Sequence, residues 1–139
     1  MTAQKLTSEQ VQEKFLRFRE LQQQLEQLQQ QQEELSQKQE ELGQSHAALK
    51  EVQHQKPGAE ILTALAPGVF MRNRLHEERK LIVHVGSDTC VEKDATQVLE
   101  WLQEQQRELM IKVVGTQEVI QELQQQAMHL YQEIKDYVQ

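Results

Sequence analysis

A single cysteine, Cys90, stands in a chain of 139 residues. That excludes an internal disulfide framework and fits a reducing compartment. Aromatic residues make up 4% and hydrophobic residues 37% of the chain, too little for a sizeable core of the ordinary kind, although the length suits one domain. With two prolines and five glycines, long stretches run without a breaker. No apolar run reaches the ~18 residues of a membrane span, and the opening residues carry neither a secretory nor a transit pattern. Lys and Arg number 15 against 22 Asp and Glu, a formal charge of -7. Such a balance argues against nucleic acid or an anionic membrane as the main partner. The expected home is the cytoplasm, with the nucleus as a second compartment.

What is present falls into two helical arms around one different stretch, residues 61–93. Gln-, Glu- and Leu-rich sequence gives way there to β-branched residues, period-two alternation and turn signals. Leu81, Val83 and Val85 share one face of a strand, with Lys80, Ile82 and His84 on the other. Val69, Met71, Asn73 and Leu75 alternate likewise with Phe70, Arg72 and Arg74. Pro67-Gly68, the segment 76–79 and Gly86-Ser87-Asp88 are the punctuation, which predicts strands near 61–65, 69–75, 80–85 and 89–93. So little sheet without a second layer cannot stand alone in water. Its missing layer is expected from other chains.

The arms carry heptads. In the first, expected over 8–55 with Thr7-Ser8 at its cap, Val11, Phe18 and Leu25 occupy a positions. Gln32, Gln39, His46 and Gln53 continue that seam, while Leu21, Leu28, Leu35, Leu42 and Leu49 fall at d. One seam is thus apolar and the other turns polar halfway, which loosens packing and pins register. The Gln runs are read as helix, because leucine interrupts them on the helical repeat. Lys56-Pro57-Gly58 ends the arm,. The second arm, expected over 94–138 with Asp94 as its cap, places Leu99, Gln106, Val113, Ile120, Ala127 and Ile134 at a. Leu102, Leu109, Thr116, Leu123, Leu130 and Tyr137 take d. Near-equal arms joined by a compact insert predict an antiparallel coiled-coil hairpin. The fold class is therefore α+β: two long helices with two β-hairpins between them, in one domain over 1–139.

Gly115 is a weak point within the second arm, or else a hinge. Apolar residues beyond the seam include Trp101, Met110, Ile111, Val114 and Val119. Val98 and Trp101 are expected to cap the strands, and Phe15, Leu16, Met128, Tyr131 and Val138 to gather where the chain ends meet.

Catalytic chemistry finds no support. The five histidines show no metal-ligand spacing with Cys90 or with carboxylates,. His46 reads as a seam residue, His84 as an interface residue, and Cys90 as a small packed hydrophobe. No nucleophile–base arrangement, phosphate-cradling glycine loop or dinucleotide fingerprint is present. No cofactor, metal or enzymatic activity is expected.

Helix, four strands in two hairpins, and a matching helix resemble the plan of the α-class prefoldin subunits. Val85-Gly86, Val91-Glu92-Lys93, Gly68-Val69-Phe70 and Leu75-His76 match that class, most nearly its subunit-five branch. Thr63-Ala64 replaces a proline usual in the family, and Asp88-Thr89-Cys90 replaces a glycine and aromatics. The resemblance implies a hetero-hexamer of two α-class and four β-class subunits, whose strands build an inter-subunit β-barrel. It implies capture of unfolded clients such as actin and tubulin without ATP, and delivery to a cytosolic group II chaperonin. By similarity, Ile61, Leu65, Val69, Phe70, Leu75, Leu81, Val83, Val85 and Val91 would serve assembly. Phe15, Leu16, Phe18, Met128, Tyr131, Ile134 and Val138 would touch clients.

The alternatives are a prefoldin-like paralogue in a transcription- or assembly-related complex, and a coiled-coil scaffold docking one fixed partner. A leucine-zipper DNA binder fails because no basic region precedes the heptads.

Overall fold

The computed structural model describes residues 5–78 and 80–137. Along the chain come α1 (Ser8–His54), β1 (Glu60–Ala66), β2 (Val69–Arg74), β3 (Lys80–Gly86), β4 (Thr89–Asp94) and α2 (Ala95–Ile134). The chain divides into two compact units, one built from the residues up to Lys38 with those from Leu109 onward, the other from Gln39–Glu108.

Helix α1 starts where the sequence expects. Thr7 Oγ1 accepts from the Gln10 N–H at 3.2 Å, and Gln10 Oε1 accepts from the Thr7 N–H at 3.0 Å. This reciprocal pair satisfies two donors that a bare helix start would leave open. At the other end Lys56-Pro57-Gly58-Ala59 forms a turn closed by Ala59 N–H on the Lys56 carbonyl at 3.0 Å. Proline presets its second position and Gly58, at φ 81°, supplies the left-handed third,. Helix α2 follows β4 with no loop: Asp94 ends the strand and sits at the cap position, its N–H donating to Gln97 Oε1 at 3.3 Å. The expected helix over 94–138 stops earlier, at Ile134. The Tyr137 N–H bonds the Ile134 carbonyl, three residues back, at 3.0 Å, a tightened last turn common at helix ends. Tyr137, expected at a d position, is therefore largely exposed and not in the seam.

The heptads are realised residue by residue. In α1 the half-buried or buried positions include Val11, Lys14, Phe18, Leu21, Leu25, Leu28, Gln32, Leu35, Gln39, Leu42, His46 and Leu49, the a and d series. In the first unit Leu21, Leu109, Ile120, Ala127 and Ile134 are buried, and in the second Ala95 and Leu102. These are narrow seams, as the scarcity of large apolar residues requires.

Within each unit the helices run antiparallel in the same register. In the first, Phe18 stacks on Tyr131 with ring centroids 6.0 Å apart, and Gln32 Nε2 donates to Gln117 Oε1 at 3.4 Å. In the second, His46 Nε2 lies 3.5 Å from Gln103 Nε2 and Gln53 donates to Thr96 at 3.3 Å. The a residues of α1 thus face e residues of α2, and the polar a residues find polar partners there. Gln32 is the imperfect case: its Nε2 also reaches the Val113 carbonyl at 3.4 Å, but its Oε1 is buried with no hydrogen-bond partner among the described residues.

The four strands form two separate two-stranded antiparallel sheets, β1–β2 and β3–β4. Glu60↔Arg74 through Ala66↔Val69 set the first register, with a bulge at Leu65. Lys80↔Asp94 through Gly86↔Thr89 set the second, with a bulge at Val85. The turns use different chemistry. Pro67-Gly68, with Gly68 at φ 78°, repeats the proline–glycine turn after α1; Ser87 and Asp88 both hold positive φ, 48° and 57°, the type I′ conformation that suits hairpin twist.

Candidate assembly and client-binding surfaces

Each strand pairs with one neighbour only, so each sheet leaves two edges unpaired by strands among the described residues. Open edges are places where another chain can add to a sheet. The two faces of each hairpin also differ. On one face of the second hairpin, Leu81, Val83 and Val91 are half-buried, and Val83, Val85 and Lys93 line a pocket of about 310 Å³ with Val98 and Trp101 of α2. Trp101 lies beside the strands as expected, yet it remains largely exposed. In the first hairpin Ile61, with its cross-strand partner Asn73, and Leu75 are half-buried. Asn73 Nδ2 donates to Thr63 Oγ1 at 2.7 Å along that face.

The opposite faces are open. Leu62 is 64%, Phe70 59% and Ile82 75% exposed; Val69 and Met71, which share the face of Asn73, and Leu65 and Val85 at the bulges are also largely exposed. Of the nine expected assembly residues, Leu65, Val69, Phe70 and Val85 are largely exposed, Phe70 on an open face and Val85 at the rim of the Val98–Trp101 pocket. Ile61, Leu75, Leu81, Val83 and Val91 turn toward the half-covered face. Leu62, Met71 and Ile82 are additions. Period-two alternation identifies two faces, but which of them is covered depends on where α2 lies.

The expected client-binding residues divide similarly. Phe18, Met128 and Tyr131 line one apolar groove of about 440 Å³ with Leu25 and Ala127. Met128 is 65% exposed and Tyr131 is also open, while Leu16 is exposed outside the groove. Phe15 is half-buried, with the Arg19 guanidinium 5.7 Å from its ring centroid. Ile134 requires correction: at 1% exposure it belongs to the seam and presents nothing to a client. Its a position in the heptad already indicates burial. Val138 lies outside the described residues. Met110, Ile111 and Val114 form a further exposed apolar group on α2.

An ion-paired cluster pins the two helices beside this groove. Lys14 Nζ pairs with Glu133 Oε2, and His129 Nε2 lies 2.9 Å from Glu133 Oε1. The hydrogen bond from Lys14, then the positive charge of Lys14 and the contact with His129, hold the Glu133 carboxyl below its ordinary range, against a smaller opposing effect of burial. Among the described residues no group of His, Cys, Asp or Glu has the arrangement of a metal site, and no helix is long and apolar enough to cross a membrane.

Narrow two-helix seams and paired strands with open edges define a class: a coiled-coil subunit that carries its association surface on β-hairpins. The prefoldin-subunit family model matches residues 21–139. The chain belongs to the prefoldin family of chaperone subunits, and its two-hairpin plan is that of the α class. Prefoldin subunit alpha of Thermofilum pendens is 34% identical over 62 residues, covering 45% of this chain and 48% of that protein. The chain thus spans about half the length of the curated relative it matches. The cryo-EM structure of filamentous PFD from Methanocaldococcus jannaschii aligns with a TM-score of 0.69 at 22% identity, over 83% of this chain and 95% of that one, a likeness of fold.

Proposed function

We propose that this chain is an α-class subunit of a hetero-hexamer completed by a second α-class and four β-class subunits. The complex captures unfolded proteins such as actin and tubulin without ATP and delivers them to a group II chaperonin in the cytoplasm. The observation that carries the reading is the pairing of open hairpins with an exposed apolar groove at Phe18, Met128 and Tyr131. Hairpins that lack outer partners call for association. A shallow groove holds an unfolded segment weakly, and several arms in one assembly multiply weak contacts through effective concentration.

The test mixes the chain with β-class subunits and follows aggregation of a denatured client without nucleotide. Protection is expected at equimolar hexamer, and its absence removes the capture reading. A variant with Leu16→Ser, Met128→Ser and Tyr131→Ser should assemble to the same mass yet capture clients about tenfold more weakly. Undiminished capture by that variant would place the client elsewhere.

A further inference from the structure

Helix α2 is one unbroken helix, and the face it turns away from the seam is not uniformly polar. At 3.6 residues per turn, Arg107, Met110, Ile111, Val114 and Glu118 fall opposite the seam residues Leu109, Val113, Thr116 and Ile120. Met110 and Val114 are largely exposed and Ile111 is 68% exposed. Pairing with α1 does not need apolar residues there, since the outer face of a helix is ordinarily polar. Opposite charges frame the group. Arg107 lies one turn before it and Glu118 one turn after, and both are exposed. Arg107 lies 3.1 Å from Glu104 of its own helix, an exposed pair of the kind that contributes little.

We propose that this face docks on the same face of a second copy of the chain, with the two α2 helices antiparallel about a two-fold axis between Lys112 and Val113. The order cation, apolar group, anion is self-complementary on reversal. Arg107 of each copy then meets Glu118 of the other, and Ile111 meets Val114. A parallel pairing would set Arg107 on Arg107 and Glu118 on Glu118, which like-charge repulsion opposes. Affinity comes from burying Ile111, Val114 and Met110, while the two ion pairs set direction. Farther out, Glu104 of one copy lies toward Glu122 of the other, and that repulsion confines the contact to about three turns. The contact is closed, because each copy uses the same patch, and it is small enough to belong to the weak, transient class. It involves no strand and no part of the groove at Phe18, and so does not depend on the function proposed above.

Disulfide trapping in the full chain tests this, with Cys90→Ser as background. One chain carries Arg107→Cys and the other Glu118→Cys, so that a mixed pair keeps one ion pair. In the antiparallel contact the two new thiols face each other within disulfide reach. Two copies of the same variant hold theirs about 16 Å apart along the axis. Under mild oxidation the mixed product should exceed either like-with-like product about tenfold. Adding Ile111→Ser and Val114→Ser to both chains should lower its yield about tenfold, with the helix content by circular dichroism unchanged because neither residue is in the seam. Equal amounts of the three products, a predominance of like-with-like products, or no product at all would overturn the pairing. A yield indifferent to the two serines would mean that chance collision formed the bond, and overturns it too.

Discussion

At the scale of single residues, local backbone demands explain most of the sequence choices. Pro57-Gly58 and Pro67-Gly68 supply the same turn twice, and both glycines hold the positive φ that only glycine takes freely,. Ser87 and Asp88 meet a similar demand with side chains, which costs roughly 1–2 kcal/mol per left-handed residue. Gly115 is different. Helix α2 runs unbroken through it, and a methyl group added there meets nothing within 4 Å. It borders a groove of about 430 Å³ lined by Leu28, Leu35 and Val119. No packing reason excludes a side chain, so Gly115→Ala should raise stability by about 1 kcal/mol through helix propensity alone. Thermal unfolding measures this. A loss of stability would mean that the glycine serves bending of the helix.

At the scale of elements, the seam chooses its partners by register. Polar a residues in α1 avoid isolation because α2 presents Thr96, Gln103 and Gln117 opposite them. The Lys14–Glu133–His129 cluster adds a charged clasp near the end of the seam. Its pH dependence has a definite sign. A carboxyl held below its ordinary range favours the folded state above that range, and the contribution fades as pH falls through the folded value. Both Lys14 and Glu133 side chains are about 30% exposed, so solvent screening keeps the effect modest. The melting temperature of Glu133→Gln should therefore fall below that of the unaltered chain at pH 7. The gap should shrink as pH falls below the ordinary carboxyl range,. A gap that persists in acid would assign the effect to packing and not to charge.

At the scale of the whole molecule, the chain keeps its largest exposed apolar side chains on the hairpins and along α2. Leu62, Phe70 and Ile82 occupy one type of face, and their exposure is what a partner would remove. Leu62→Ser, Phe70→Ser and Ile82→Ser together should leave the strand content intact, because these side chains contribute little to the isolated hairpins. The same substitutions should reduce self-association of the lone chain, each removing up to ~1.5–3 kcal/mol of burial in a contact. Circular dichroism and sedimentation check the two halves of this expectation. Large species that survive the triple change would locate association on the half-covered face with Leu81, Val83 and Val91.

The sequence by itself determined the elements and their seams, because helical and strand periodicities are local properties of residue order. Val11 through Leu49 and Leu99 through Leu130 fall on the seam as their spacing requires, and the strand limits move by a residue or so. Tertiary structure alone decided which strand face α2 partly covers. It also decided which polar a residue meets which e residue. Those outcomes depend on distances between residues far apart in the chain. Alternation can mark Ile82 as facing away from Leu81, but only the position of Val98 and Trp101 beside β3 and β4 leaves Ile82 in the open.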